Sequence, residues 1–173
     1  MKLAQMELAQ ITEDELEIIL YRHEQWMKGA CDGMRADLSG IDLSGIDLSG
    51  AKLFGADLMF TRLCGADLAG ANLARASIIG ADLSHARLTR ADLNCANLYR
   101  AFFTNADLTQ AHLNRARLVR ANFAGADLTR ANLTDANLTG ADFTDATWID
   151  GTKRTEYCPG MDPKYPASAR GLI

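Results

Sequence analysis

The chain has 173 residues, the size of one domain, and carries 18 basic against 22 acidic side chains, a formal net charge of −4. This balance excludes a protein that binds nucleic acid through bulk positive charge, and no segment reaches the roughly 18 uninterrupted apolar residues of a membrane span. Hydrophobic residues make up 48% of the chain but aromatic residues only 7%. A core of this composition must be built from many small, equivalent units.

The cysteines and the N-terminal residues bear on the cellular compartment. Four cysteines, at positions 31, 64, 95 and 158, form no Cys-x-x-Cys motif and show no paired spacing, which favours free thiols over a disulfide framework. The first residues lack the continuous apolar stretch of a secretory signal. We therefore expect a cytoplasmic protein that does not contact a membrane.

The N-terminal segment, residues 1–35, contains one strong helix signal at about 12–28. Thr12 followed by Glu15 has the pattern of a capping box, and Gly29 is a suitable stop. Apolar side chains fall on one stripe of this helix, with a histidine between them. The stripe consists of Leu16, Ile19, Leu20, Trp26 and Met27.

Residues 36–150 follow a period of five. A central residue recurs at every fifth position from Leu38 to Trp148, which makes 23 units, and 22 of these centres are Leu, Ile or Phe. The residue two positions before the centre is alanine in 20 units. A short extended piece points residues two apart to the same side, and the last two residues of each unit can turn a corner. Each unit is therefore predicted to form one side of a coil, with two residues inward and three outward.

The last residue of a unit is the corner. It is often glycine, as at Gly40, which tolerates a positive φ. Arg75, His85, Arg90 and Gln110 stand at the same place. Because L-residues with a side chain disfavour the left-handed region, we expect that this conformation is not obligatory at every corner.

Two sets of bulky residues indicate how many sides close one turn. Both sets have members spaced by twenty residues, so four sides per turn would stack each set vertically, as cross-strand packing favours. The first set consists of the centres Phe103, Phe123 and Phe143, and the second of Met59, Ile79, Tyr99 and Val119, each directly after a centre.

The tandem A(D/N)LXX units over residues 36–150 resemble the pentapeptide-repeat family. The resemblance implies an all-β fold, a right-handed quadrilateral parallel β-helix with four units per coil. The 23 units then make about 5.75 coils. Nearly clean tandems of this kind are abundant in cyanobacteria and other bacteria, so the resemblance also implies a bacterial source.

Both ends of such a solenoid need protection, because a stacked coil exposes unpaired backbone. The amphipathic helix is predicted to cap the first coil, with an interaction helix for a partner as the alternative. At the other end Trp148 can plug the last coil. The tail, residues 151–173, loses the period and contains three prolines. It either shields the final edge or leaves it open for a homodimer through the C-terminal end, as some family members form.

No motif for catalysis or metal binding is present. His23, His85 and His112 belong to no His-Glu-x-x-His motif, and four sides per turn place Cys64 and Cys95 on opposite faces. Aspartate stands before many of the centres and asparagine before others, and this exchange favours hydrogen bonding at a bend over acid–base chemistry. We therefore predict a protein that is not an enzyme, with no catalytic residue, cofactor or metal.

The outside of the rod carries one apolar column with arginines beside it. Such a patch is typical of a contact surface, although the tail or the helix could instead fold over it. Charge is uneven along the rod, at −3 over residues 36–73, +4 over 74–133 and −4 over 134–150. The predicted partner-binding residues are Met59, Phe60, Ile79, Tyr99, Val119 and Phe102, with Arg100 and Arg120.

The main functional prediction is a non-enzymatic scaffold or regulator. It binds another protein, whose identity the sequence does not give, and it does not bind nucleic acid directly. The alternative comes from the family resemblance. Some pentapeptide-repeat proteins resemble duplex DNA in shape and negative charge, and bind DNA gyrase to protect or inhibit it. That mimicry needs a predominantly acidic rod, and the positive middle of this one disfavours it.

Overall fold

The repeat region is a four-sided coil whose turns stack in parallel. A computed structural model describes residues 10–152, so the roles predicted for the tail beyond Thr152 lie outside the described residues. Parallel bridges pair residues twenty apart, beginning with Asp37 to Asp57 and ending with Asp127 to Thr147. The vertical register of twenty residues is therefore confirmed. Each bridge involves a single residue, the one before the centre, because a side is too short for a longer strand.

Every side is joined to the next coil by the same three backbone hydrogen bonds. On one side, the N–H of Leu58 donates to the carbonyl of Ser77 (2.7 Å) and the N–H of Phe60 donates to the carbonyl of Ile79 (2.9 Å). In the opposite direction, the N–H of Ser77 donates to the carbonyl of Ala56 (2.9 Å). These bonds give hydrogen-bond partners to backbone N–H and carbonyl groups of the inner coils. Without such partners, burial of these groups would lower the stability of the fold.

The corner residue has a positive φ in glycine and non-glycine units alike, with +65° at Gly40, +58° at Arg75 and +59° at Gln110. The expectation that the left-handed conformation is not obligatory at these corners is therefore wrong. The corner N–H must donate to the next coil while the following N–H closes the turn onto the centre carbonyl. These bonds outweigh the roughly 1–2 kcal/mol cost of the conformation. The non-glycine corners are Phe60, Arg75, His85, Arg90, Cys95, Arg100, Asn105, Gln110, Arg115, Arg120, Arg130, Asp135 and Asp145.

The interior is filled by the centres and by the alanines two positions before them. Phe103, Phe123 and Phe143 form a vertical stack, with ring centroids 4.7 and 4.9 Å apart and nearly parallel planes. Trp148 is 2% exposed and meets Phe143 edge-on at 4.8 Å. The aromatic column thus continues to the last unit, where the larger indole fills the interior in place of leucine.

One helix, α1, spans Glu13–Met27 and precedes the coils. Its first turn is closed by the capping box: the N–H of Thr12 donates to Glu15 Oε2 (2.8 Å), and the N–H of Glu15 donates to Thr12 Oγ1 (3.2 Å). The helix ends before Lys28, and Gly29 with φ +73° leads the chain away.

The apolar stripe of α1 faces the first coil. Leu16 is buried, and Ile19 and Leu20 are half-buried against the core. Trp26 is 38% exposed and stacks on the buried ring of His23, with 5.3 Å between centroids. Apolar contact of Leu16, Ile19 and Leu20 with the core therefore holds the helix against the rod, whereas the stacking of Trp26 on His23 lies within α1.

His23 joins α1 to the first unit. The N–H of Ala36 donates to His23 Nδ1 (3.0 Å), whereas the equivalent N–H of later units donates to the preceding centre carbonyl. Ala36 has no preceding unit, so the imidazole supplies the acceptor. Burial lowers the pKa of His23, the Phe54 backbone carbonyl partly opposes this shift, and the charge of Arg35 adds to it.

Phe123 provides a test of the aromatic column. Phe123→Ala should lower the free energy of unfolding by about 3–5 kcal/mol because a buried ring with stacked neighbours is lost. Phe123→Leu restores the common centre residue and should cost less than about 1.5 kcal/mol. Urea denaturation measures both. Phe102→Ala, at an exposed ring, is the control, and a loss there equal to that of Phe123→Ala would contradict this account of the core.

Stability should depend on pH through His23. Its folded-state pKa lies below the ordinary value of 6.5, so the unfolded chain takes up the proton more readily. The stability present above that value is therefore lost as the pH falls through it. We expect a lower urea midpoint at about pH 5.5 than at about pH 7.5, and a smaller difference in His23→Gln, whose amide accepts the same bond. His85→Gln, at an exposed histidine, should retain the full difference, and an identical pH response in both variants would disprove the role of His23.

Candidate interaction surface

One side of the rod presents the apolar column, and we call it the ladder side. Its centres include Leu58, Ile78 and Leu98. The apolar residue of each coil directly follows a centre, and the residue directly before that centre is bridged to its equivalent in the next coil, in the series Asp57, Ser77, Asn97 and Arg117. The structure therefore brings the four predicted residues together as rungs in adjacent coils. All four are half-buried, so each still presents part of its side chain to solvent. They are Met59, Ile79, Tyr99 and Val119.

Two phenylalanines extend this apolar surface around a corner. Phe60 is 58% exposed and occupies the corner next to Met59. Its ring lies against the corner glycine one coil later, since a Cβ on Gly80 would come within 2.7 Å of the ring. Phe102 is 46% exposed and lies on the neighbouring side, bridged to Asp82. Exposed apolar side chains thus stand on the ladder side, at one position of its corner and on the neighbouring side.

Arginines surround Tyr99. The guanidinium carbons of Arg100 and Arg117 each lie 5.3 Å from the centroid of its ring, within the range of cation–π attraction. Arg120 occupies the same corner as Arg100, one coil later. The sequence prediction included Arg100 and Arg120 but missed Arg117. The sequence contains a signal for this contact. Asn97 lies two positions before Tyr99, and Arg117 stands twenty residues after Asn97, which places it beside Tyr99 in the next coil.

The arginines of the rod fall into two groups. Some pair with an aspartate in an adjacent coil, as Arg87 does with Asp67 at 2.7 Å, whereas others, such as Arg75, Arg90 and Arg130 on the other sides, form no ion pair within the described residues. Within residues 10–152, Arg100, Arg117 and Arg120 form no ion pair. The ladder side therefore combines apolar rungs with uncompensated positive charge.

The repeated aspartates and asparagines accept hydrogen bonds that stabilise the turns. Where the residue before a centre is aspartate or asparagine, its side chain accepts a hydrogen bond from the N–H two residues later, as Asp107 does from Thr109 (2.9 Å) and Asn122 from Ala124 (2.8 Å). The hydroxyl and the N–H of Ser44 likewise lower the pKa of Asp42. The expected hydrogen-bonding role at the bend is confirmed.

The side chains of the described residues offer no metal centre and no membrane-spanning helix. In the part of the chain from residue 10 to 152, no three His, Cys, Asp or Glu side chains converge as metal ligands. Cys64 and Cys95 occupy opposite sides and are free thiols. The single helix of the described residues is too short and too polar to cross a bilayer.

The repeat geometry identifies the class of protein. Residues 34–70, 71–110 and 106–145 match the model for pentapeptide repeats, with eight copies. The chain belongs to the pentapeptide repeat family, whose fold is a right-handed quadrilateral β-helix. Among curated proteins, none matches this chain.

Several solved structures are similar. HetL, from the cyanobacterium Nostoc sp. strain PCC 7120 and involved in regulation of heterocyst differentiation, is 35% identical with a TM-score of 0.68. The match covers 70% of this chain and spans 56% of HetL. A pentapeptide repeat protein of the Arabidopsis thaliana thylakoid lumen is 34% identical, with a TM-score of 0.34. That match covers 65% of this chain and 72% of the Arabidopsis chain. Rfr23 of the cyanobacterium Cyanothece 51142 is 25% identical, covering 77% and 99%, with a TM-score of 0.39.

Asp127 provides a test of whether the repeated carboxylates act as hydrogen-bond acceptors in the turns. Asp127→Asn keeps an oxygen that can accept the Thr129 N–H bond, now 2.8 Å long, and should leave stability nearly unchanged. Asp127→Ala removes the acceptor and should cost about 1 kcal/mol. Thermal and urea denaturation compare the two, and equal losses would show that the charge matters rather than the hydrogen bond.

Proposed function

We propose that this protein is a non-enzymatic regulator or scaffold that binds another protein through its ladder side. The proposal is carried by one observation, the alignment of four apolar rungs beside exposed phenylalanines and unpaired arginines. Four rungs at a spacing of about 4.8 Å span roughly 14 Å. Aromatic residues and arginine are the types enriched at the centres of protein interfaces.

The rod suits this role because its surface is fixed before binding. Each rung is attached to a side that is hydrogen-bonded to neighbouring coils, so little backbone ordering would accompany association. Tyr99 is already held between Arg100 and Arg117. A partner would therefore meet a preorganised aromatic and cationic centre.

The charge of the ladder side favours an acidic partner. Carboxylates opposite Arg100, Arg117 and Arg120 would provide the ion pairs that these side chains lack within residues 10–152, and would speed association at low salt. Apolar groups between those carboxylates would cover Ile79 and Val119. We therefore propose a protein segment in which acidic and apolar residues alternate.

One similarity supports a regulatory role, and the state of the cysteines supports a cytoplasmic location. HetL, which is similar over 70% of this chain, is involved in regulation of heterocyst differentiation. Free thiols at Cys31, Cys64 and Cys95 fit a reducing compartment. We propose further that α1 serves as the cap of the first coil, since its apolar stripe and His23 occupy that end.

The DNA-mimic alternative is less well supported by the charge distribution. A mimic of duplex DNA needs columns of negative charge, but on the side opposite the ladder side Arg87 interrupts the column of Asp47, Asp67 and Asp107. The Arg87–Asp67 pair neutralises part of it. A gyrase supercoiling assay with the purified protein distinguishes the two functions, and inhibition or protection at micromolar concentration would favour the mimic.

Ile79 and Tyr99 provide the test of the binding surface. The double variant Ile79→Glu with Tyr99→Glu places two negative charges where acidic and apolar groups are proposed to dock. It should abolish recovery of partner proteins in a pull-down from cell extract while the melting temperature changes by only a few degrees. Crosslinking from a photoreactive group at position 99 would identify the protein that is lost.

A matched control uses the side opposite the ladder side. Thr109→Glu with Thr129→Glu introduces the same charges directly after the centres Leu108 and Leu128, and should leave the recovered partner unchanged. Loss of the partner in both double variants would contradict the proposed surface. A large fall in melting temperature only in the Ile79 and Tyr99 variant would show that this patch is covered within the protein.

A further inference from the structure

A groove lies between α1 and the open end of the first coil, away from the ladder side. Its volume is about 750 Å³, within the range of protein binding sites. Leu20, Ile46 and Ala51 contribute apolar walls, and Glu13 and Glu17 line the helix side of the opening. The groove is therefore apolar in the middle and acidic at the rim.

The floor of this groove is an unpaired backbone edge. On its upper side, the unit containing Asp47 makes the usual three bonds, including Leu48 N–H to the Asp67 carbonyl (2.7 Å). On its lower side, the N–H of Asp47 and the carbonyls of Asp47 and Ser49 meet no hydrogen-bond partner among residues 10–152. These are the three groups through which every inner side contacts the coil before it.

We propose that an extended segment of a partner polypeptide binds in this groove as an added strand below Asp47. By the geometry of the coils, the N–H of its central residue donates to the Asp47 carbonyl, and the N–H two residues later donates to the Ser49 carbonyl. The carbonyl two residues before the centre accepts from the Asp47 N–H. Such strand addition completes an edge that is otherwise exposed.

The side chains of the groove define the residues that this segment carries. Glu24 is already paired with Lys28 and Lys52, at 3.1 and 2.7 Å. Glu13 and Glu17 are in no ion pair within the described chain. The segment should therefore alternate lysine or arginine, facing these carboxylates, with an aliphatic residue that packs on Leu20 and Ile46. This site is separate from the ladder side and does not depend on the function proposed there.

The test uses the full chain and a labelled peptide of alternating valine and lysine. Fluorescence polarisation should show saturable binding in the micromolar range. Methylation of the valine backbone nitrogens removes the donors to Asp47 and Ser49, and should weaken binding by roughly tenfold or more. Methylation of the lysine backbone nitrogens retains composition and charge, and should leave binding within about twofold.

Protein variants localise the site. Glu13→Gln with Glu17→Gln should weaken binding of the unmethylated peptide several-fold, while Asp142→Asn with Asp145→Asn removes two charges at the other end and should not. Circular dichroism checks that α1 is retained. Equal effects of the two methylated peptides would reduce the interaction to charge attraction and overturn the proposal. Absence of binding to the full chain would also overturn it, because the groove would then be closed or filled by the protein itself.

Discussion

The three hydrogen bonds that join each side to the next coil govern the rest of the structure. Because they link residues twenty apart, every unit must adopt the same path, and any side chain is placed by its position within the five. The interior holds one larger residue per side and, in most units, an alanine beside it. Corner residues must accept a left-handed conformation, and in most units an aspartate or asparagine before the centre supplies an oxygen for the turn. Packing, turn chemistry and surface columns are all consequences of this one register.

Much of this arrangement could be predicted from the sequence, because the period of five is unbroken and inward positions are chemically distinct from outward ones. The vertical stacks followed from Phe103, Phe123 and Phe143. The corner conformation at Arg75 and Gln110 could not be predicted correctly, since local preference disfavours it and only the assembled hydrogen bonds impose it. Propensity describes an isolated residue, whereas a solenoid fixes each residue through its neighbours in adjacent coils.

The interaction surface was predicted in part for a similar reason. Counting by twenty found the rungs and the corner arginines, because these share positions within the unit. Arg117 was missed because it stands before its centre rather than after it, and its guanidinium reaches the ring of Tyr99 from the next coil. His23 was recognised as part of a helical stripe, but its bond to Ala36 depends on how α1 meets the first coil. Contacts between a helix and a solenoid end have no periodic signal.

The unbroken run of 23 units also affects how such a protein can change in evolution. Insertion of one residue would shift each later side chain to a different place in its unit, turning inward groups outward and disrupting the whole downstream rod. Duplication or loss of a block of twenty would instead keep all four faces aligned and alter only the length. The fold therefore constrains point insertions severely but permits growth by whole turns. A lineage can in this way lengthen a recognition face while its end structures stay the same.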